Sequence, residues 1–184
     1  MKTRREFLVS TAAVSALPTL ISARPIGRRV CAVGDLDCVD GFDFSRYFGA
    51  AARDPSVDPT AFLLELEQQL AVGELDVIVG LTRSSTRFLI EQIAMRLGYM
   101  TTYSGEHSYL GHHLFHRLNG HGGAVAQVSR QLRGAQVGWA RELASSMEQL
   151  AELGSASAHS EVTVDVSRPA GSAGYLCSWL LRRV

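Results

Sequence analysis

The spacing of hydrophobic positions changes along this chain, and each change predicts an element. Residues 24–59 carry little regular pattern beyond an alternating apolar start at 29–33, which reads as a strand followed by irregular chain. Asp58-Pro59 then has the form of a helix N-cap with proline at the first helical position. Ala61, Leu63, Leu64, Leu66, Leu70 and Ala71 give that helix a broad apolar face, and Gly73 stops it. Residues 75–81 are β-rich and nearly all apolar, the signature of a strand buried on both faces, as in a parallel sheet. Residues 82–85 form a turn in which Ser84 or Ser85 caps a helix over 86–97, with Gly98 at its end. Residues 99–104 are extended again. Together, residues 75–104 predict a β-α-β unit with parallel strands and a right-handed crossover.

Further along, residues 113–118 read as a strand ended by Asn119-Gly120. A helical region follows over 123–153, divided by Gly134 and Gly138. Its second half is the clearer, with Trp139, Ala140, Leu143, Ala144, Met147, Leu150 and Ala151 at helical spacing. Residues 155–160 are a polar linker. Residues 162–166 alternate as a half-buried strand, Arg168-Pro169-Ala170-Gly171-Ser172 is a turn, and residues 175–181 form a last strand. The expected fold class is α/β: a single small domain, with a mixed sheet around the central β-α-β unit, flanking helices and a C-terminal β-hairpin.

Composition narrows the class. The chain has 184 residues, and 46% hydrophobic with 20% charged is the balance of a domain with a real core rather than of a disordered or polytopic membrane chain. Its formal charge of +0 conceals an asymmetry. Lys2, Arg4 and Arg5 against Glu6 make residues 1–23 basic, while the remainder holds 15 basic and 17 acidic residues. That balance, without a basic stripe, argues against a nucleic-acid partner.

The first 25 residues read as an address. A short basic segment precedes a moderately apolar run over 7–21 and the small residues Ser22 and Ala23, the order of an export signal. Ser, Thr and Pro18 interrupt the run, so it makes a poor anchor, and no stable membrane span is expected after cleavage. Thr3-Arg4-Arg5-Glu6-Phe7-Leu8-Val9 resembles the bacterial twin-arginine (Tat) signal, Ser/Thr-Arg-Arg-x-Phe-Leu-Lys, with Val9 in place of the usual Lys. The resemblance covers the signal only. It implies a Tat-type signal peptide over 1–23, cleavage after Ala23, a mature domain over 24–184, the Tat translocon as export partner and a periplasmic location. Tat cargo folds before export and often holds a cofactor or travels with a partner that does.

Three cysteines, Cys31, Cys38 and Cys177, lie in the mature part. An oxidising compartment permits Cys31–Cys38 to close a small loop or Cys38–Cys177 to staple the chain ends, with one thiol left over. The competing reading is three small buried apolar side chains. The absence of Cys-x-x-Cys and Cys-x-x-Cys-His disfavours an iron–sulfur cluster held by this chain alone and covalent c-type haem.

Three segments carry candidate chemistry. Thr82, Arg83, Ser84, Ser85 and Arg87 sit after the buried strand and before a helix, where open α/β sheets bind ligands and where helix N–H groups favour an anion. No Gly-rich fingerprint accompanies them, so a capped helix with exposed arginines is the competing reading. Five of six histidines fall within residues 107–121. His112 and His116 share a face whether the segment is a strand, where alternate residues point the same way, or a helix at i, i+4. With His107 or His121 as third ligand they form a candidate metal-ion site, with Glu106 beside it as a base or ligand. One histidine serving as a general acid–base is the other functional option, and a His-rich loop and edge strand the structural one. Asp35, Asp37, Asp40 and Asp43 form an acidic run that fails the EF-hand spacing and reads as a solvated, turn-rich loop.

Three functions compete. The first is an accessory or small subunit of a larger exported redox enzyme, with an exposed apolar patch near Trp139 or the C-terminal strand. The second is a periplasmic binding protein for a small anion or metal ion. The third is a small metal- or histidine-dependent hydrolase. The sequence contains no established catalytic motif, so whether the protein is an enzyme stays open at this point.

Overall fold

The computed structural model describes residues 28–135, 138–152, 158–167 and 174–184. The signal-like segment, the start of the linker at 155–157 and the turn at 168–172 lie outside the described residues. In chain order the elements are β1 (Val30–Gly34), α1 (Val39–Phe48), a 3-10 turn (Gly49–Ala51), β2 (Ala52–Arg53), α2 (Pro59–Ala71), β3 (Val77–Thr82) and α3 (Ser84–Arg96). Then come β4 (Tyr99–Leu110), β5 (His113–His121), α4 (Gly122–Gly134), α5 (Trp139–Glu152), β6 (His159–Ser167) and β7 (Tyr175–Arg183).

The strands form one seven-stranded mixed sheet in the order β2-β1-β3-β7-β4-β5-β6. β2, β1 and β3 are parallel, and every pairing from β3 through β7, β4 and β5 to β6 is antiparallel. Helices α1, α4 and α5 supply Phe44, Val128, Leu132, Trp139, Leu143 and Met147 to the core on one face. On the other face, α2 and α3 supply Leu66, Leu70, Ile90 and Ala94. The result is a single α/β domain, as the hydrophobic periods predict. Among the described residues no helix is long and apolar enough to cross a membrane.

Most element types follow the sequence pattern, but several arrangements differ. β6 and β7 do not form a C-terminal hairpin. β6 pairs with β5 at the sheet edge, while β7 runs between β3 and β4, antiparallel to both. The reason is burial: six consecutive residues of β7, from Leu176 to Leu181, are buried, and only a central position covers that many. The same insertion splits the β-α-β unit. β3 and β4 keep the expected parallel direction but are not neighbours, and β4 extends to Leu110.

The acidic run is only half a loop: Asp35 and the exposed Asp37 lie in the turn after β1, while Asp40 and Asp43 are helical. Val39–Phe48 form α1, and Asp35 and Asp40 are buried. The helix starts on an unusual cap: the Gly41 N–H donates to the Cys38 Sγ at 3.3 Å. Gly41 is required there, because a Cβ would come within 2.1 Å of the Asp35 carbonyl oxygen. The serines also play a different part. Arg83 is the N-cap of α3 and supplies no side-chain cap, while Ser84 and Ser85 are already helical. Finally, the expected linker ends early, since His159 and Ser160 belong to β6.

All three cysteines are free thiols. Cys31 and Cys177 pack in the apolar cluster beneath α2 and α3, and Cys38 is committed to the α1 cap. Neither expected disulfide forms. Burial pushes the Cys31 thiol up to about 11, which suits a small core side chain.

Candidate functional site

The parallel half of the sheet creates a crevice. From β1 the chain leaves through α1 to β2 on one side, and from β3 it leaves through α3 toward β4 on the other. Between the carboxyl ends of β1 and β3 the connections therefore diverge, at the kind of switch point where open α/β sheets bind ligands.

Asp35 follows β1 directly and is 4% exposed. The Arg83 backbone N–H donates to its Oδ2 at 2.7 Å. The carboxylate thus bridges the end of β1 to the start of α3. Burial lifts the Asp35 carboxyl above its ordinary range, outweighing the Arg83 N–H and guanidinium that act to lower it. The Arg83 guanidinium reaches the exposed Asp37 at 3.7 Å, a loose pair worth little by itself. The first N–H groups of a helix lack intrahelical partners, and at α3 no N-cap side chain supplies one.

A cleft of about 250 Å³ opens against these groups. Asp35, Asp37, Ser56, Arg83, Ser85 and Thr86 line its polar side, and Pro55, Pro59, Phe62, Leu63 and Leu89 its apolar side. A second cavity of about 390 Å³ shares Asp37 and Arg83 and is lined further by Cys38, Asp40, Tyr109, Tyr175 and Leu176. There Tyr109 links two layers: its hydroxyl donates to the Asp40 Oδ2 at 2.6 Å and accepts from the Trp139 Nε1–H at 2.9 Å. Burial, with Asp35 and Asp40 nearby, pushes the Cys38 thiol up despite the Gly41 N–H, so this sulfur is no activated thiolate.

Of the five residues expected to bind an anion, the fold brings Arg83 and Ser85 to the cleft. Thr82 is fully buried and accepts from the Trp179 Nε1–H at 3.1 Å. Ser84 is exposed at the first turn of α3. Arg87 is turned along α3 to Glu91 Oε1 at 2.9 Å, with both side chains largely buried. Sequence reasoning missed Asp35 and Asp37 as site residues. The signal for them was present in two acids placed immediately after the Val-Gly end of β1.

The histidines divide by strand position. His107 on β4 and His116 on β5 stand directly opposite each other. Their Nδ1 atoms are 2.6 Å apart, so one ring donates and the other accepts. His107 Nε2 lies 2.7 Å from the Ser178 Oγ, and the Trp139 ring packs on both imidazoles at centroid distances of 4.7 and 5.0 Å. The two side chains are 1% and 0% exposed. Burial, reinforced by His116, holds His107 well below its ordinary value.

His112 does not join His116. It falls in the exposed turn between β4 and β5, so the shared face expected for the two is not formed. His121 ends β5 opposite His159. Zn–N distances near 2.0–2.1 Å would hold two tetrahedral ligands about 3.3 Å apart. The observed 2.6 Å is hydrogen-bond geometry instead. Among the described residues no three His, Cys, Asp or Glu side chains come together as a metal-ligand set. Both rings lie in the core of the sheet and line neither of the two clefts described above.

Compared with models of protein families, with curated proteins and with solved structures, the chain matches none.

Proposed function

We propose that this protein binds a small organic ligand carrying an anionic group, in the crevice at the carboxyl ends of β1 and β3. The observation that carries the reading is the cleft of about 250 Å³ in which Arg83 and the first turn of α3 face an apolar wall. A guanidinium and free helix N–H groups suit a carboxylate or phosphate. The apolar wall suits the body of an organic molecule, since small-ligand sites combine apolar lining with a few placed polar groups. The Tat-like segment supports a periplasmic setting for this binding.

Thermal denaturation of the full chain with a panel of small carboxylates, phosphate and sulfate tests the proposal. A ligand bound to the native state alone raises the melting temperature. The rise is expected with an organic carboxylate or phosphate and is lost in Arg83→Ala. If no member of the panel moves the transition, the reading falls.

A second reading, a subunit of a larger exported redox enzyme, is favoured by a separate observation. Leu64 on α2 and Phe88 and Met95 on α3 are each more than half exposed. Among the described residues Trp139 is fully buried and β7 is central, so the exposed apolar residues at the C-terminal strand are its end residue Tyr175 and the terminal Val184. Co-elution of the natively purified chain with a larger protein, abolished by Phe88→Glu, is the expected result for this reading. Elution alone in both cases opposes it.

A further inference from the structure

The charges on the cleft wall narrow the ligand class, an inference that rests on the small-ligand reading of that cleft. Asp35, Asp37 and Arg83 line the same space of about 250 Å³. Two carboxylates against one guanidinium leave the ionised wall with an excess of one negative charge. The carboxylates also sit at the two ends of Arg83: Asp35 on its backbone N–H at 2.7 Å, and Asp37 by its guanidinium at 3.7 Å. A ligand that is only an anion would be attracted by Arg83 and the α3 N-terminus but repelled by both aspartates at short range. A ligand that is only a cation would meet Arg83 unfavourably. A molecule bearing both charges satisfies both sets of groups.

We propose that the cleft takes a small zwitterion of the amino-acid class, its carboxylate toward Arg83 and the α3 N-terminus, its ammonium toward Asp35 and Asp37, and its apolar side chain against Phe62, Leu63 and Leu89. An ammonium has three donors and no acceptor, the complement of acceptor-only carboxylates. The volume lies below the roughly 300–1,000 Å³ of pockets for drug-sized ligands, which fits a molecule of amino-acid size.

Isothermal titration calorimetry on the full chain, near neutral pH, tests this with L-leucine and L-phenylalanine, each beside its des-amino acid and its des-carboxy amine. At least one of the two amino acids is expected to bind about tenfold or more tightly than both of its analogues. The exposed Asp37→Asn change should narrow the gap between the amino acid and its des-amino analogue, and Asp35→Asn should narrow it further. A des-amino acid that binds as tightly as its parent overturns the zwitterion and leaves the anion reading standing. An amine that binds as tightly as its parent overturns the zwitterion as well. If none of the six compounds binds, both proposals fall.

Discussion

β3 and β5 belong to one sheet but are built on different rules. All six residues of β3 are buried, because α2 and α3 cover one face of its half of the sheet and α1 and α5 the other. β5 alternates, with Leu114, His116 and Leu118 turned into the core and His113 and Arg117 exposed. α4 and α5 cover one face of β5 and β6. On the opposite face Arg117 pairs with Glu161 at 2.7 Å and His113 with Asp165 at 3.0 Å. Hydrophobic period therefore reports how many faces of a strand are covered. The difference also separates the chemistry. The doubly covered half leaves its strand ends open to a crevice with Asp35 and Arg83. The singly covered half has drawn two histidines into its own core.

The largest expected effect tests what closes the antiparallel half. Trp139→Ala removes the ring packed on His107 and His116 and should cost about 3–5 kcal/mol in denaturant unfolding. A loss under about 1.5 kcal/mol, the range of a tolerated volume change, would show that α5 does not seal that face.

On the parallel half, Gly80→Ala would place a Cβ 2.2 Å from the Cζ2 of Trp179. The indole sits between β3 and α3 with its N–H on Thr82 and has little room to move, so a cost of about 1–3 kcal/mol is expected. Unchanged stability would mean that β3 and β7 are less tightly joined than their register implies.

Acid should weaken the antiparallel half first. His107 is held neutral in the fold, so below its ordinary value of 6.5 the unfolded chain takes up a proton that the native chain refuses. Stability is full above that pH and is lost below it, by up to ~1.4 kcal/mol per pH unit for one group. Asp35 acts in the opposite sense. Its raised carboxyl takes a proton in the folded state first, so stability is gained as pH falls through its folded value. Chemical unfolding of Asp35→Asn from about pH 7 to 5 therefore isolates the histidine contribution. A flat profile would contradict a buried neutral ring.

Asp35→Asn itself should raise stability near neutral pH by ~0.5–2 kcal/mol, the range of a typical stabilising substitution. The amide oxygen can still accept the Arg83 N–H while the desolvated charge disappears. A loss instead would make Asp35 a structural cap. The smallest effect belongs to the open face: Arg117→Ala should leave the denaturant midpoint unchanged, because its pair with Glu161 is solvent-exposed.

Much of the fold was legible in local pattern. Pro59 after Asp58, the apolar run ending in Gly80-Leu81, and Trp139 through Ala151 at helical spacing each declared its element, because burial on a fixed face imposes a period. The start of α1 was hidden, because a thiol is a rare N-cap and the aspartates around it resemble a loop. The candidate site was half legible. Arg83 and Ser85 follow from strand-then-helix order, but Asp35 joins them only because β1 and β3 lie side by side, although Asp35 and Arg83 are 48 positions apart in the chain.

Sequence alone therefore determined most of the local elements, though not α1 or β2, the α/β class, and Arg83 and Ser85 as candidate site residues. The tertiary structure alone decided that the last strand enters the middle of the sheet, that His116 meets His107 rather than His112, and that an aspartate after the first strand faces an arginine after the third. Those outcomes depend on which strands become neighbours. Neighbours are chosen by the total apolar surface that the whole sheet can cover, a sum over the chain that no single window of residues contains.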